Sequence, residues 1–315
     1  MNIGLIGFGY WGKNIYRNLY NSDSIKKIFI FDIDKKNFKE NKKASFYINS
    51  DKFFNERDID SFIIATPTST HLKYIKKCLN LQKKVCITKP ITKTYSELLD
   101  LKRNFNNCCN IFLDHTYLYH PTINFIKNLL LKKKLGKLIY YDSERINFGK
   151  FYKDVDVVED LAVHDVYILD YLLNGKLPNK IITTSHKNFG NKKFLSNITL
   201  KYKNGFFANI KVSWFSPLKS RRILLAGKNK MLEFDDNEID KKLKIYDKGV
   251  LWNKNKMINQ WEYRSGQIKI PHIKNKESLM IMIEEFIKFT KSKKKDISQF
   301  NQALRVMKVL GKIKK

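Results

Sequence analysis

Cysteine, arginine and acidic residues are all scarce in this 315-residue chain, and each shortage excludes something. The four cysteines, Cys78, Cys86, Cys108 and Cys109, fit neither a disulfide framework nor a common zinc spacing, and suit a reducing cytosol. No apolar run approaches the roughly 18–20 residues of a membrane-spanning helix. The chain opens directly on an apolar strand pattern without a leader-like segment, so a cytoplasmic, membrane-free protein is expected.

Acidic residues number 30 against 61 basic ones, a net charge of +31. Such an excess ordinarily points to nucleic acid. Here only eight of the basic residues are Arg, the favoured reader of phosphates and bases. The lysines are scattered along the chain rather than gathered in one block, so no nucleic-acid partner is expected. A basic surface can still steer an anionic substrate. His164 and Asp165 lack further ligands at helical spacing, so no metal is expected. No G-x-S-x-G occurs, which removes the usual serine-hydrolase elbow.

What the chain does have is Gly7-Phe8-Gly9-Tyr10-Trp11-Gly12, between an apolar run, Ile3 to Ile6, and a helical pattern from Lys13 to Tyr20. Strand, G-x-G-x-x-G and helix in that order form the dinucleotide-binding arrangement. Gly7 permits the tight turn, Gly9 admits a pyrophosphate to the backbone, and Gly12 lets helix and strand approach. The N-terminus of the helix then offers free N–H groups and a positive dipole end to the phosphates. A second apolar strand, Ile28 to Phe31, ends at Asp32, twenty residues after Gly12. A carboxylate there suits both ribose hydroxyls and repels a 2′-phosphate, so NAD is the expected cofactor. Asp34 is the better candidate to cap a helix expected over Lys36 to Lys42.

Further strands are read at Ala44–Ile48, Ser61–Ala65, Val85–Ile87 and Ile111–Leu113, with Asp51 capping a short helical turn. Strands alternating with helical patterns predict a doubly wound parallel sheet. Strand four runs into Thr66-Pro67-Thr68-Ser69-Thr70-His71. Thr66 and Pro67 fall at a carboxyl edge, where such sheets bind ligands. Ser69 or Thr70 suits a helix N-cap, and His71 reads as a surface position. Thr88-Lys89-Pro90 follows strand five, and Thr94-x-x-Glu97 is a capping box. This Rossmann domain is expected over residues 1–117.

Residues 118–315 read as an α+β domain with a large, mostly antiparallel sheet. A helix is expected from Pro121 to about Leu135-Gly136. Strands are expected at Leu138–Asn147, Ile181–His186, Leu195–Tyr202, Phe206–Trp214, Arg222–Ala226, Lys230–Phe234 and Leu243–Tyr246. Between them lies the helix Glu159–Leu173, ended by Asn174-Gly175. Asp160 and His164 share a face near its start, and Ala162, Val166, Leu169 and Leu173 form a packing stripe; the polar side is either a plain solvent face or a functional one carrying Asp160 and His164. Arg145, on the first strand, suits either an anionic substrate group or a surface salt bridge. Two helix patterns, Leu279–Thr290 and Gln302–Ile313, end the chain.

The glycine loop, Ala65-Thr66-Pro67-x-x-x-His71, the Lys89-Pro90 pair and Asp160-x-x-x-His164 occur in the order seen in one family. The chain resembles the Gfo/Idh/MocA oxidoreductases, named for glucose–fructose oxidoreductase and inositol dehydrogenase. The family usually carries Glu-Lys-Pro where this chain has Thr88-Lys89-Pro90. The resemblance implies an NAD-dependent enzyme acting on a secondary alcohol, with Lys89, Asp160 and His164 catalytic. The substrate set would be Lys89, Arg145, Asp160 and His164. The cofactor set would be Gly7, Gly9, Tyr10, Trp11, Gly12, Asp32, Thr66, Pro67, His71 and Lys89. Either Lys89 or His164 could be the base. The tract Asp154–Asp165 is similar to members from surface-polysaccharide biosynthesis, which implies a sugar or nucleotide-sugar substrate. A cyclitol dehydrogenase and a non-catalytic redox sensor are the alternatives. The resemblance also implies a dimer or tetramer formed through the C-terminal sheet, with Trp214, Phe206 and Tyr202 either on that face or in the core.

Overall fold

The computed structural model describes residues 1–34, 38–149, 151–152, 155–188, 190–253 and 260–314. The first elements are β1 (Asn2–Ile6), α1 (Tyr10–Tyr20), β2 (Lys27–Phe31), β3 (Ala44–Tyr47), α2 (Ser50–Phe54), β4 (Ser61–Ile64), α3 (Thr68–Asn80), β5 (Lys84–Thr88), α4 (Tyr95–Asn104) and β6 (Ile111–Asp114). Then come α5 (Pro121–Leu131), β7 (Leu138–Ile146), a π-helical turn at Val158–Ala162, α6 (Val163–Leu172), β8 (Lys180–Asn188), β9 (Lys192–Lys201) and β10 (Phe207–Ser213). The chain closes with β11 (Ser220–Gly227), β12 (Met231–Asp235), β13 (Leu243–Asn253), β14 (Gln260–Lys269), α7 (Ser278–Lys291) and α8 (Ser298–Ile313).

These elements form two compact units: Met1–Tyr119 with Lys276–Met307, and His120–Asn275 with Lys308–Lys315. The sequence reading assigned everything after residue 117 to the second domain. Residues 276–307 instead count with the first unit, for a visible reason. Leu279, Met282, Ile283, Phe286 and Ile287 of α7 are buried in one apolar cluster with Ile3 and Leu5 of β1 and Ile15 and Leu19 of α1. Each such side chain contributes roughly 1.5–3 kcal/mol when fully buried.

The first unit holds a parallel six-stranded sheet in the order β3-β2-β1-β4-β5-β6. Its central strands are apolar on both faces, as a sheet covered on both sides requires: Ile28 to Phe31 and Phe62 to Ile64 are buried throughout. The order reverses beside β1, so the carboxyl ends of β1 and β4 flank the ligand-binding crevice of a doubly wound sheet. The helix expected over Lys36 to Lys42 is absent from its described part. Residues 38–40 are non-helical, and Asn41 pairs with Ala44 in an isolated bridge; residues 35–37 lie outside the described ones. Asn49, not Asp51, caps α2, accepting from the Asp51 and Lys52 backbone N–H groups. The Thr94/Glu97 capping box is formed.

The second unit holds an eight-stranded sheet, β14-β13-β12-β11-β7-β10-β9-β8. It is antiparallel except where β7 pairs with β10. The hairpin of β13 and β14 extends it beyond the strands read from sequence, because charged residues interrupt the apolar alternation there. Residues 254–259 lie outside the described ones. α6 is buried on nearly every side, Asp165 and Asp170 included, which sets aside the reading of a plain solvent-facing amphipathic helix. Trp214, Phe206 and Tyr202 are likewise buried and belong to the core rather than to an open sheet face.

Candidate active site

At the end of β1 the backbone turns through Gly7 at φ +99°, a left-handed conformation that any side chain would strain. A Cβ there would also lie 2.7 Å from the Ala65 carbonyl oxygen. A Cβ on Gly12 would strike the Gly7 carbonyl oxygen, so the close approach of α1 to β1 requires a bare backbone. Gly9 differs: a Cβ there would meet nothing within 4 Å. Its glycine therefore answers no packing demand of the chain, and the open space beside it is what a bound pyrophosphate would use. Gly9 is also the N-cap of α1 and, as a glycine, has no side chain to bond to that helix end. Its N–H groups and positive dipole end are left for an anion. Tyr10, 86% exposed, opens the helix. The residues fit NAD.

Asp32 leaves β2 beside this loop. One carboxylate oxygen accepts from the Phe8 N–H at 2.5 Å, the other from the Asp34 N–H at 3.1 Å. Each oxygen keeps a further lone pair, so the group remains able to accept from ribose hydroxyls. Asp34 was read as a helix cap; the described residues after it begin no helix.

Beyond β4, neither Ser69 nor Thr70 caps α3. Pro67 holds the N-cap position, and the Thr70 hydroxyl donates to Thr66 Oγ1 at 2.8 Å. His71 was read as a surface residue and is fully buried. Its Nδ1 lies 3.0 Å from the Pro90 carbonyl oxygen and its Nε2 2.8 Å from that of Thr66. It sits between the two loops at the carboxyl edges of β4 and β5, its neutral ring donating to one carbonyl at a time, and burial, partly opposed by those carbonyls, lowers its pKa. Lys89 directly follows β5 and is half-buried; its peptide bond to Pro90 is cis.

One further acid stands here that the sequence reading passed over. Asp114 ends β6 as the register partner of Thr88. Its Oδ2 accepts from the Trp11 indole Nε1 at 2.6 Å, while the buried Oδ1 has no hydrogen-bond partner among the described residues. Burial pushes its pKa up to about 6, against the opposing pull of the Trp11 hydrogen bond and the Lys89 charge. The signal was available: Ile-Phe-Leu-Asp ends on an acid as Phe-Ile-Phe-Asp does at Asp32.

In the second unit, Asp156 and Glu159 cap the start of the π-helical turn reciprocally. Asp156 Oδ1 accepts from the Val158 and Glu159 N–H groups, and Glu159 Oε2 from the Asp156 N–H. A π turn inside a helical run often marks a functional position. This one carries Asp160, whose Oδ2 accepts from the Trp214 indole at 3.0 Å. His164 lies in the first turn of α6 and is half-buried. Asp154, also in the tract singled out from sequence, lies outside the described residues.

Arg145 is neither at the surface nor turned to an open face. It is buried, its Nε 2.6 Å from Asp165 Oδ2, and Tyr141 donates to Asp165 Oδ1 at 2.7 Å. Burial beside the Asp165 charge drives the Tyr141 pKa up. Lys89 belongs to the first unit; Asp160, His164 and Arg145 belong to the second. Among the described residues no group of three or more His, Cys, Asp or Glu could hold a metal ion.

Residues 1–111 match the Gfo/Idh/MocA family model, an oxidoreductase family with an NAD-binding Rossmann fold. Over those residues the chain is similar to the Gfo/Idh/MocA oxidoreductases. It is 28% identical to YdgJ, an uncharacterized oxidoreductase of Escherichia coli, over 48% of this chain and 44% of that protein. It is 20% identical to the 2,7-anhydro-N-acetylneuraminate hydratase of E. coli, over 78% of this chain and 70% of that one. It is 25% identical to the UDP-N-acetylglucosamine 3-dehydrogenase of Acidithiobacillus ferrooxidans, over 61% of this chain and 60% of that one. The fold matches the crystal structure of an oxidoreductase from Magnetospirillum magnetotacticum with a TM-score of 0.81 at 21% identity, covering 99% of this chain and 98% of the other. Among the described residues no helix is long and apolar enough to cross a membrane.

Proposed function

We propose that this chain is an NAD-dependent dehydrogenase of the Gfo/Idh/MocA kind, acting on a secondary alcohol of a sugar or nucleotide sugar. The observation that carries the reading is the open cradle at Gly9 with the Asp32 carboxylate beside it, in a chain related to a nucleotide-sugar dehydrogenase. Gly7, Gly9, Gly12 and the start of α1, with Tyr10 and Trp11, hold the pyrophosphate. Asp32 holds the adenosine ribose and disfavours NADP. Thr66 and Pro67 line the crevice, and His71 stands between their loop and that of Lys89.

When bound, NAD supplies the hydride-accepting carbon. The chain must supply a base for the hydroxyl proton and a donor for the charge that develops on its oxygen. We assign these tasks to His164 and Lys89, with Asp160 orienting the sugar or steadying the imidazolium. Lys89 is the alternative base. Arg145 leaves the substrate set, because its charge is met inside the unit by Asp165.

The test is a panel of UDP-sugars, free sugars and cyclitols with NAD, following NADH and sugar product together. One NADH per ketosugar supports the reading, and the best substrate separates sugars from cyclitols. The kinship to a hydratase favours a second reading, addition of water to a sugar derivative, which would give product with no net NADH. NAD binding with no product from any of them would support a sensor. We also propose that the eight-stranded sheet joins two copies of the chain. Ile182 and Phe207 are exposed on it, and light scattering at the mass of one chain would dismiss that assembly.

A further inference from the structure

β10 lies inside the large sheet, between β7 and β9, and Trp214 follows its last residue, Ser213. The pairing continues through this residue. Its backbone N–H donates to the Phe194 carbonyl at 2.9 Å, and its carbonyl accepts from the Gly149 N–H at 2.9 Å. The main chain at Trp214 is therefore held on both sides, by β9 and by the chain leaving β7. The ring is held as well. It is buried, and the rings of Phe151 and Tyr152 meet it edge-on at centroid separations of 5.7 and 5.8 Å.

Asp160 stands on a different kind of backbone. It lies within the π-helical turn Val158–Ala162, a form found mostly as single turns. An α-helix aims its side chains by a period of 3.6 residues. A π turn departs from that period, so helical geometry alone does not set the direction of the carboxylate. The Trp214 indole reaches it from the sheet: Nε1 donates to Asp160 Oδ2 at 3.0 Å. An indole N–H is an uncharged donor that accepts nothing. It orients a carboxylate without cancelling its charge. Arg145 is the contrasting case in the same unit, where a guanidinium answers the Asp165 charge directly.

We propose that Trp214 is a positioning residue for Asp160. The end of β10 aims the carboxylate through one hydrogen bond and leaves its charge for the sugar hydroxyl or the imidazolium. The proposal rests on the role given to Asp160 above.

A double-mutant cycle tests it. Trp214→Phe keeps a ring in the core and removes the donor. With NAD and the most active sugar of the panel above, its kcat should fall by about tenfold to a hundredfold, the upper figure being the scale of a ~1 Å misplacement. NAD affinity should stay. In the Asp160→Ala background the same change should cost nothing further, because a residue that acts through another is not additive with it. An equal loss in both backgrounds means that Trp214 acts through packing, and overturns the proposal. Full turnover in Trp214→Phe beside lost turnover in Asp160→Ala also overturns it and keeps the role of Asp160. Full turnover in Asp160→Ala retires that role, and the positioning claim with it.

A second measurement needs neither turnover nor a Trp214 variant. The chain has four tryptophans, so Trp11→Phe, Trp252→Phe and Trp261→Phe assign the Trp214 indole N–H of a 15N-labelled sample by elimination. That proton should move upfield in Asp160→Ala, on losing its acceptor. Asp160→Asn keeps an amide oxygen as acceptor and should move it less. A resonance unmoved in Asp160→Ala overturns the hydrogen bond and the proposal together.

Discussion

At the scale of single residues the site is a set of atoms whose chemistry is decided by what surrounds them. Gly9 is bare where the protein itself has room for a side chain. Gly9→Val should therefore fold normally and lose NAD binding by calorimetry, whereas Gly12→Val should fail to fold, its Cβ meeting the Gly7 carbonyl. Asp32→Ala should weaken NAD and narrow its advantage over NADP; a wild type that binds NADP more tightly would overturn the assignment. His71 gives a pH prediction. Its pKa is lowered in the folded chain, so the unfolded chain takes up the proton more readily. Stability should fall as pH drops below the ordinary histidine value of 6.5 towards the folded one. Urea midpoints at neutral and acidic pH should show that slope, and His71→Gln should reduce it.

At the scale of elements, local pattern made some features legible and long-range pairing hid others. The ends of β1 and β2, the glycine turn and the Thr94/Glu97 box are written in consecutive residues, and the structure forms them. Arg145 was misread because its partner, Asp165, arrives twenty residues later on a different element. His71 was misread for the same reason: what buries it is the loop at Pro90. α6 looked amphipathic from Asp160 and His164, yet the polar residues on its other sides are satisfied inside the unit. Asp165→Ala would leave the Arg145 charge buried and unanswered, and we expect a loss of about 3–5 kcal/mol in chemical denaturation. Lys127 closes the far end of the same helix, its Nζ donating to the Tyr171 carbonyl at 2.6 Å and to Asn174 Oδ1 at 2.5 Å. A cation at a helix C-terminus contributes up to ~2 kcal/mol when partly buried, so Lys127→Met should destabilise by about that amount.

At the scale of the whole molecule, the NAD-binding unit carries the cradle and Lys89, and the unit with the large sheet carries Asp160 and His164. The account predicts a division of effects between them. Changes at Gly9 or Asp32 should act on cofactor affinity, while His164→Ala should cut kcat by about a hundredfold, the scale of a lost acid–base group, with NAD affinity kept. The central claim is hydride transfer, and it can be followed atom by atom. The chain would be mixed with NAD and the UDP-sugar that proves most active, deuterated at its ring carbons, and the nicotinamide read by NMR. The account predicts deuterium at C4 of the nicotinamide, matched by one equivalent of ketosugar. Sugar product with the deuterium retained on the ring or lost to water, and NAD still oxidised, would contradict it.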